Sequence, residues 1–275
     1  MTVFSLTKGP LIAGLFVAAG SVQSSEIGIA DLIDLPPADV IFLGEIHDNP
    51  THHLNQATAV AALKPAALVF EMFGPDEALA ATPEVRSSVQ RLEQTLGWSA
   101  NGWPEFAMYY PIFVAAPEAA IFGGSIDRQD VRRAMSDGAA AVFGSGAPLF
   151  GLDQPLAPEE QSAREVNQMA AHCNALPEGM LPGMVEAQQL RDAGLARAII
   201  AALAETGGPV AVITGNGHAR KDWAIPRMLS RARPETRILS IAQFESPRNS
   251  APYDYWMVTA AIDRPDPCLA FGIGD

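Results

Sequence analysis

Three short segments concentrate the side chains of this chain that could do chemistry. They are Gly44-Glu45-Ile46-His47-Asp48-Asn49, Glu71-Met72-Phe73 and Gly215-Asn216-Gly217-His218-Ala219-Arg220. Two of them share the pattern Gly-x-x-His, which sets a residue without a Cβ three places before an imidazole and frees the backbone there from crowding. Of the five histidines, four lie on these segments or just beyond the first: His47, His52, His53 and His218. Two imidazoles and a carboxylate (His47, Glu71 and His218) could coordinate a divalent metal or hold a water. The same histidines could flank or ligate an iron porphyrin. Each imidazole alone would pass for a hydrogen-bonded strand-end residue; the set at matching positions points to a ligand.

Around this set stand residues with supporting roles. Glu45 is two residues from His47 and shares its face if the strand continues. It is a candidate general base, or a structural carboxylate paired with Arg191 or Arg220. His52 and His53 differ by about 100° on a helix, so at most one is expected to face the site, leaving the other on a solvated surface. Gln188, Arg191 and Asp192 share one helical face by their i, i+3, i+4 spacing, and they suit the orientation of site residues from behind. The stretch from Trp103 to Pro111 is aromatic and broken by proline. It reads either as core or as the wall of a site for a flat macrocycle, with Trp103 and Tyr110 as candidate contacts.

The elements that must position these residues alternate along the chain. Apolar, β-branched runs predict buried strands at 39–44, 67–70, 120–124, 210–214, 237–241 and 255–258. Asn49-Pro50 is an N-cap followed by a first-turn proline, and it opens a helix that stops before Pro65. The strand–helix–strand unit at 39–70 predicts parallel pairing with a right-handed crossover. Helices are expected over 128–140, 158–173, 184–205 and 223–231, with a helical insertion at about 76–118. The expectation is a largely parallel open α/β sheet flanked by helices. In such sheets ligands bind beyond the carboxyl ends of the strands, where all three segments fall.

Composition narrows the function. The chain is 48% hydrophobic, too apolar to remain disordered. Lys and Arg total 18 against 31 acidic residues, with no basic run, which excludes a nucleic-acid partner. Lys8, the apolar run from Pro10 to Ala19 and the small residues after it read as a signal peptide over residues 1–24, with cleavage near Ala18-Ala19-Gly20 or Val22-Gln23-Ser24. The apolar run is shorter than the roughly 20 residues a spanning helix needs. The expected location is therefore periplasmic or secreted. No cysteine lies near this leader to carry a lipid. Cys173 and Cys268 are the only cysteines, and export would let them pair, although sequence alone leaves their separation open.

Taken in order, the segment from Gly44 to His53, Phe70-Glu71-Met72-Phe73, the stretch from Trp103 to Pro111, the run from His172-Cys173 through Gln188 to Ala193, and Gly215 to Arg220 resemble the ChaN-like haem-binding uptake family over about residues 27–245. The resemblance implies a ChaN/EreA-like fold, a haem ligand and a role in haem and iron uptake. It also implies a homodimer enclosing two haems face to face, working with an outer-membrane haem-uptake system. His47, His52, His53, Trp103, Tyr110, His218 and Arg220 are then the candidate haem contacts, and Arg191, Arg220 and Lys221 the cations for its propionates. Through the related Tiki and TraB group it implies an alternative: a metal-dependent hydrolase with His47, Glu71 and His218 as ligands and Glu45 as base.

Overall fold

The computed structural model describes residues 24–266, 268 and 269. The leader expected over residues 1–24 lies outside the described residues except for Ser24. Seven strands form one sheet: β1 (Ser25–Glu26), β2 (Val40–Glu45), β3 (Ala67–Phe70), β4 (Ala120–Gly123), β5 (Val210–Gly215), β6 (Ile238–Phe244) and β7 (Tyr255–Val258). Their order is β1-β7-β6-β2-β5-β3-β4, and every pair is parallel. All the carboxyl ends therefore share one rim.

Alternation along the central strands divides the core. Ile41, Leu43, Leu68, Phe70, Ala211 and Ile213 face one side, where they meet α1 (Pro50–Leu63) and α5 (Phe106–Ala115). Val40, Phe42, Ala67, Val69, Val210 and Val212 face the other, against α10 (Leu181–Thr206). Both faces are covered, so these strands read as unbroken apolar runs. Between β3 and β4 the chain forms α2 (Pro75–Ala80), α3 (Pro83–Arg86), α4 (Val89–Thr95) and α5, the stretch expected as an insertion. The remaining helices are α6 (Arg128–Asp137), α7 (Ala139–Phe143), α8 (Ala147–Phe150), α9 (Pro158–Ala171), α11 (Asn216–Ala219) and α12 (Ile225–Ala232). Among the described residues no helix is long and apolar enough to cross a membrane.

One expectation is corrected in a way that matters for the site. β2 and β3 do not pair; β5 lies between them. All six residues of β5 are buried, and that apolar run takes the most enclosed place in the sheet. Its insertion sets the Gly215–His218 turn between the loops that carry His47 and Glu71. Two smaller features were also unexpected: the two-residue β1, and the single helical turn α11 that carries the second Gly-x-x-His motif.

The end of the chain is tied to the site region at two points. Arg264 donates from Nε and Nη2 to Asp48, at 2.7 and 3.0 Å, and from both Nη atoms to Glu245 at 2.6 Å. Cys268 forms a disulfide with Cys173, with Cα atoms 5.4 Å apart. The pairing left open by the sequence is therefore made.

Candidate functional site

His47, Glu71 and His218 meet at the rim. Glu71 follows β3, and its Oε2 accepts hydrogen bonds from the Gly215 backbone N–H (2.7 Å) and the Thr214 hydroxyl (2.8 Å). Its Oε1 lies 3.3 Å from His218 Nε2 and 3.8 Å from His47 Nε2. The first glycine of each Gly-x-x-His motif is there for space. Neither has a positive φ, but a Cβ on Gly215 would sit 2.9 Å from His47 Nε2, and one on Gly44 would sit 2.5 Å from Asn216 Oδ1.

Each imidazole is fixed from behind by a buried carboxylate. His47 Nδ1 pairs with Glu45 Oε1 at 2.7 Å, and His218 Nδ1 with Asp192 Oδ1 at 2.5 Å. Both Nε2 atoms consequently turn toward Glu71. Burial alone would strip the proton from His47, but Glu71 and Glu45 hold its pKa up at about 9. Burial opposes the charge on His218 too, and Glu71 with Asp192 raise it to about 10. Burial also pushes the Asp192 carboxyl up while the imidazolium pulls it down. Burial prevails and leaves the Asp192 carboxyl raised, while the second nitrogen of His218 faces Glu71. Glu71 is held well below the usual carboxylate range: burial opposes this, and His218 and His47 outweigh it.

Glu45 is the centre of a second layer. Its Oε1 accepts from the Tyr109 hydroxyl at 2.5 Å, and its Oε2 accepts from Gln56 Nε2 at 2.6 Å with His53 Nδ1 3.4 Å away. Burial would raise its pKa, but His47 and His53 hold it down at about 2. Gln56 Nε2 also donates to the Leu43 carbonyl, so its Oε1 is the atom that faces His53 Nδ1 at 3.1 Å. His53 Nε2 faces the His47 carbonyl at 2.9 Å. Both nitrogens of His53 face acceptors; burial opposes its charged form, and Glu45 outweighs burial and raises its pKa. Glu45 thus pairs with neither Arg191 nor Arg220.

The cleft above this rim has a volume of about 400 Å³, within the range of small-molecule sites. Ile46, His47, Gly215 and His218 form its floor. One face of α9 (Arg164, Gln168, Ala171) and one of α10 (Met184, Gln188, Arg191) form its walls, and the i, i+3, i+4, i+7 spacings explain both. Of the two motif imidazoles His47 is the more accessible, its side chain 33% exposed against 8% for His218; His172, just after α9, also lines the cleft. Among the described residues no group of three His, Cys, Asp or Glu side chains is arranged to hold a metal ion.

A profile of the family described as haem-binding uptake, Tiki superfamily, ChaN, matches residues 32–229. The chain belongs to this ChaN family. A solved structure of ChaN of Campylobacter jejuni with cofacially bound haem superposes with a TM-score of 0.61 at 19% identity, covering 82% of this chain and 88% of that one. The type III effector HopBA1 gives 0.44 at 14% identity, covering 85% and 92%. A succinoglycan biosynthesis protein gives 0.43 at 11% identity, covering 78% and 68%. At these identities the likeness speaks for fold alone, and the last two are too distant to argue from. Among curated proteins none matches.

Within this ChaN-family fold, several candidate residues stand elsewhere than expected. Tyr110 points into the insertion, where its hydroxyl donates to the Arg86 carbonyl. The tyrosine at the site is its neighbour, Tyr109. Trp103 touches His47 edge-on, at 5.0 Å between ring centroids, but its indole N–H donates to the Met72 carbonyl and it lies outside the cleft. Most of the aromatic stretch is core. Neither His52 nor His53 is solvated. His52 Nδ1 accepts from the Ile46 backbone N–H at 2.9 Å, its Nε2 faces Thr259, and burial lowers its pKa to about 4. Arg220 is held by Asp222 and stacks 3.7 Å over Trp223, and Lys221 is paired with Asp254; neither lines the cleft. Gln188, Arg191 and Asp192 do stand at the site. Gln188 Nε2 lies 3.2 and 3.3 Å from the two ring nitrogens of His218, and its Oε1 accepts from Arg191. Sequence reading missed Tyr109, Gln56 and Arg164. For Gln56 a signal existed, since it follows His52 and His53 at four and three residues on one helix.

Proposed function

We propose that this chain binds haem in the rim cleft and carries it during iron uptake, as an exported, periplasmic protein. The observation that carries the reading is the setting of His47. Of the two Gly-x-x-His imidazoles it is the more exposed, its Nδ1 is fixed by buried Glu45, and its Nε2 has no partner closer than Glu71 at 3.8 Å. Histidines that ligate metals commonly give their other nitrogen to a carboxylate, which fixes the ring and raises its basicity. On giving up its Nε2 proton, His47 fits that requirement for an iron porphyrin, with Ile46, Met184 and Val185 as apolar lining. Family membership supports the ligand class. The disulfide supports export, since such bonds persist in oxidising compartments. A homodimer that encloses haem, and delivery from an outer-membrane uptake system, belong to the same reading.

Haemin titration of the disulfide-bonded chain tests it. A saturable Soret change is expected, and His47→Ala should alter the band position and weaken binding. Chromatography with light scattering of the haem-loaded protein should give the mass of a dimer. A featureless titration, or a spectrum indifferent to His47→Ala, would sink the assignment of His47.

One observation favours a second reading, a metal-dependent hydrolase. His218 repeats the arrangement of His47, with a carboxylate at Nδ1 and Glu71 before Nε2. Elemental analysis of protein purified without chelator decides between the readings. A stoichiometric divalent metal lost in Glu71→Gln would favour hydrolysis.

A further inference from the structure

Arg191 stands on the α10 wall with its guanidinium against the cleft. It is a cation without a counter-ion. Its Nη2 donates to Gln188 Oε1 at 2.9 Å, and no carboxylate among the described residues pairs with it. Asp192 and Glu71 act on it only from a distance, and both are engaged with imidazoles. Burial removes much of its water and pushes its pKa down. A guanidinium so placed has several N–H donors aimed at space rather than at protein.

Arg164 adds to this from α9. Its Nε and Nη2 donate to Glu160 Oε1, at 3.0 and 2.6 Å, and Nη2 also donates to the Trp223 carbonyl. Glu160 spends its other oxygen on Arg227 at 2.8 Å, so one carboxylate serves two guanidiniums. The α9–α10 wall is thus short of negative charge in a chain whose net charge is −13. The nearby cations that sequence reading favoured, Arg220 and Lys221, are neutralised by Asp222 and Asp254.

We propose that Arg191, assisted by Arg164, is the seat for a carboxylate of the bound ligand. A planar guanidinium meets a carboxylate by two parallel N–H···O bonds, which fix orientation as well as charge. The seat requires only an anionic ligand; that its carboxylate is a porphyrin propionate rests on the haem reading above. The ligand is then held at two points, by its carboxylate on the helical wall and by its other end over His47.

The test compares haemin with haemin dimethyl ester, in which the propionates are masked, on the wild-type chain, Arg191→Met and Arg191→Lys. Wild type should bind haemin about 10- to 100-fold more tightly than the ester. Arg191→Met should lose most of that preference and bind haemin near the wild-type value for the ester, with Arg191→Lys between. Thermal melting identifies a misfolded Met variant, in which case Arg191→Lys carries the comparison. If wild type and variants bind haemin equally, the seat is overturned and the haem reading survives. If wild type takes up no haemin, the haem reading fails alone, and glutarate becomes the probe. Glutarate should then raise the melting temperature of wild type and shift Trp223 fluorescence, but not in Arg191→Met. Absence of both effects overturns the seat.

Discussion

At the scale of single residues, the site is held by buried hydrogen bonds whose partners cannot be replaced by water. Tyr109 is fully buried and donates to Glu45, which carries a charge inside the core. Tyr109→Phe leaves that oxygen with His47 alone and should cost about 1–3 kcal/mol, read from urea unfolding. A change below a few tenths would mean that Glu45 has other support. His52 makes a pH prediction with a definite sign. Its folded pKa of about 4 lies below its ordinary value near 6.5, so the unfolded chain binds the extra proton between those values. Its contribution is complete above pH 6.5 and is lost as pH falls toward 4. His52→Asn keeps an acceptor for the Ile46 N–H but does not titrate. The stability difference between wild type and this variant should therefore be about 2 kcal/mol smaller at pH 5 than at pH 7.5. A pH-independent difference would refute it. The types and positions of His47, Glu71 and His218 were legible in the sequence, because chemistry-bearing residues at the ends of parallel strands share one rim. Which of two adjacent tyrosines turns inward was not, because that depends on the rotation of α5, whose sequence is apolar nearly all round.

At the scale of elements, close approach of α10 to the sheet decides where the wall residues stand. Gly194 faces Ile126 and the Gly124 carbonyl, and a Cβ there would lie 2.6 and 2.9 Å from them. Alanine in a helix interior is favoured over glycine by about 1 kcal/mol. At this position backbone contact should win, because a carbonyl cannot yield as a flexible side chain can. Gly194→Ala should therefore lower the melting temperature, whereas the same change at Gly179, where a Cβ would meet nothing, should not. A rise at Gly194 would show that α10 can shift outward. Strand positions were legible from apolar runs bounded by Gly and Pro, to within a residue or two at β2, β3, β4 and β5. Strand order was not. Local patterning links β2 to β3 through α1, but only long-range packing sets β5 between them.

At the scale of the whole molecule, the disulfide closes a long loop, with a sequence separation of 95 between Cys173 and Cys268. Chain-entropy reasoning assigns such a loop about 4–5 kcal/mol. Reductant, or Cys173→Ser with Cys268→Ser, should lower the melting temperature by several degrees or more, and a melt indifferent to reductant would mean that the tail contributes little. Fold class and the shared rim followed from the alternation of elements along the chain. The tie between tail and site did not, since neither Arg264 nor Cys268 announces its distant partner.

The place of β5 has a further consequence for how the polypeptide reaches its final form. β3 ends at Phe70 and β5 begins at Val210, so during synthesis two sticky apolar ribbons wait, unzipped, for a filling piece made much later. Contacts so remote in sequence slow folding and leave early fragments prone to clump. A nascent chain halted before Val210 should bind holding chaperones and resist assembly.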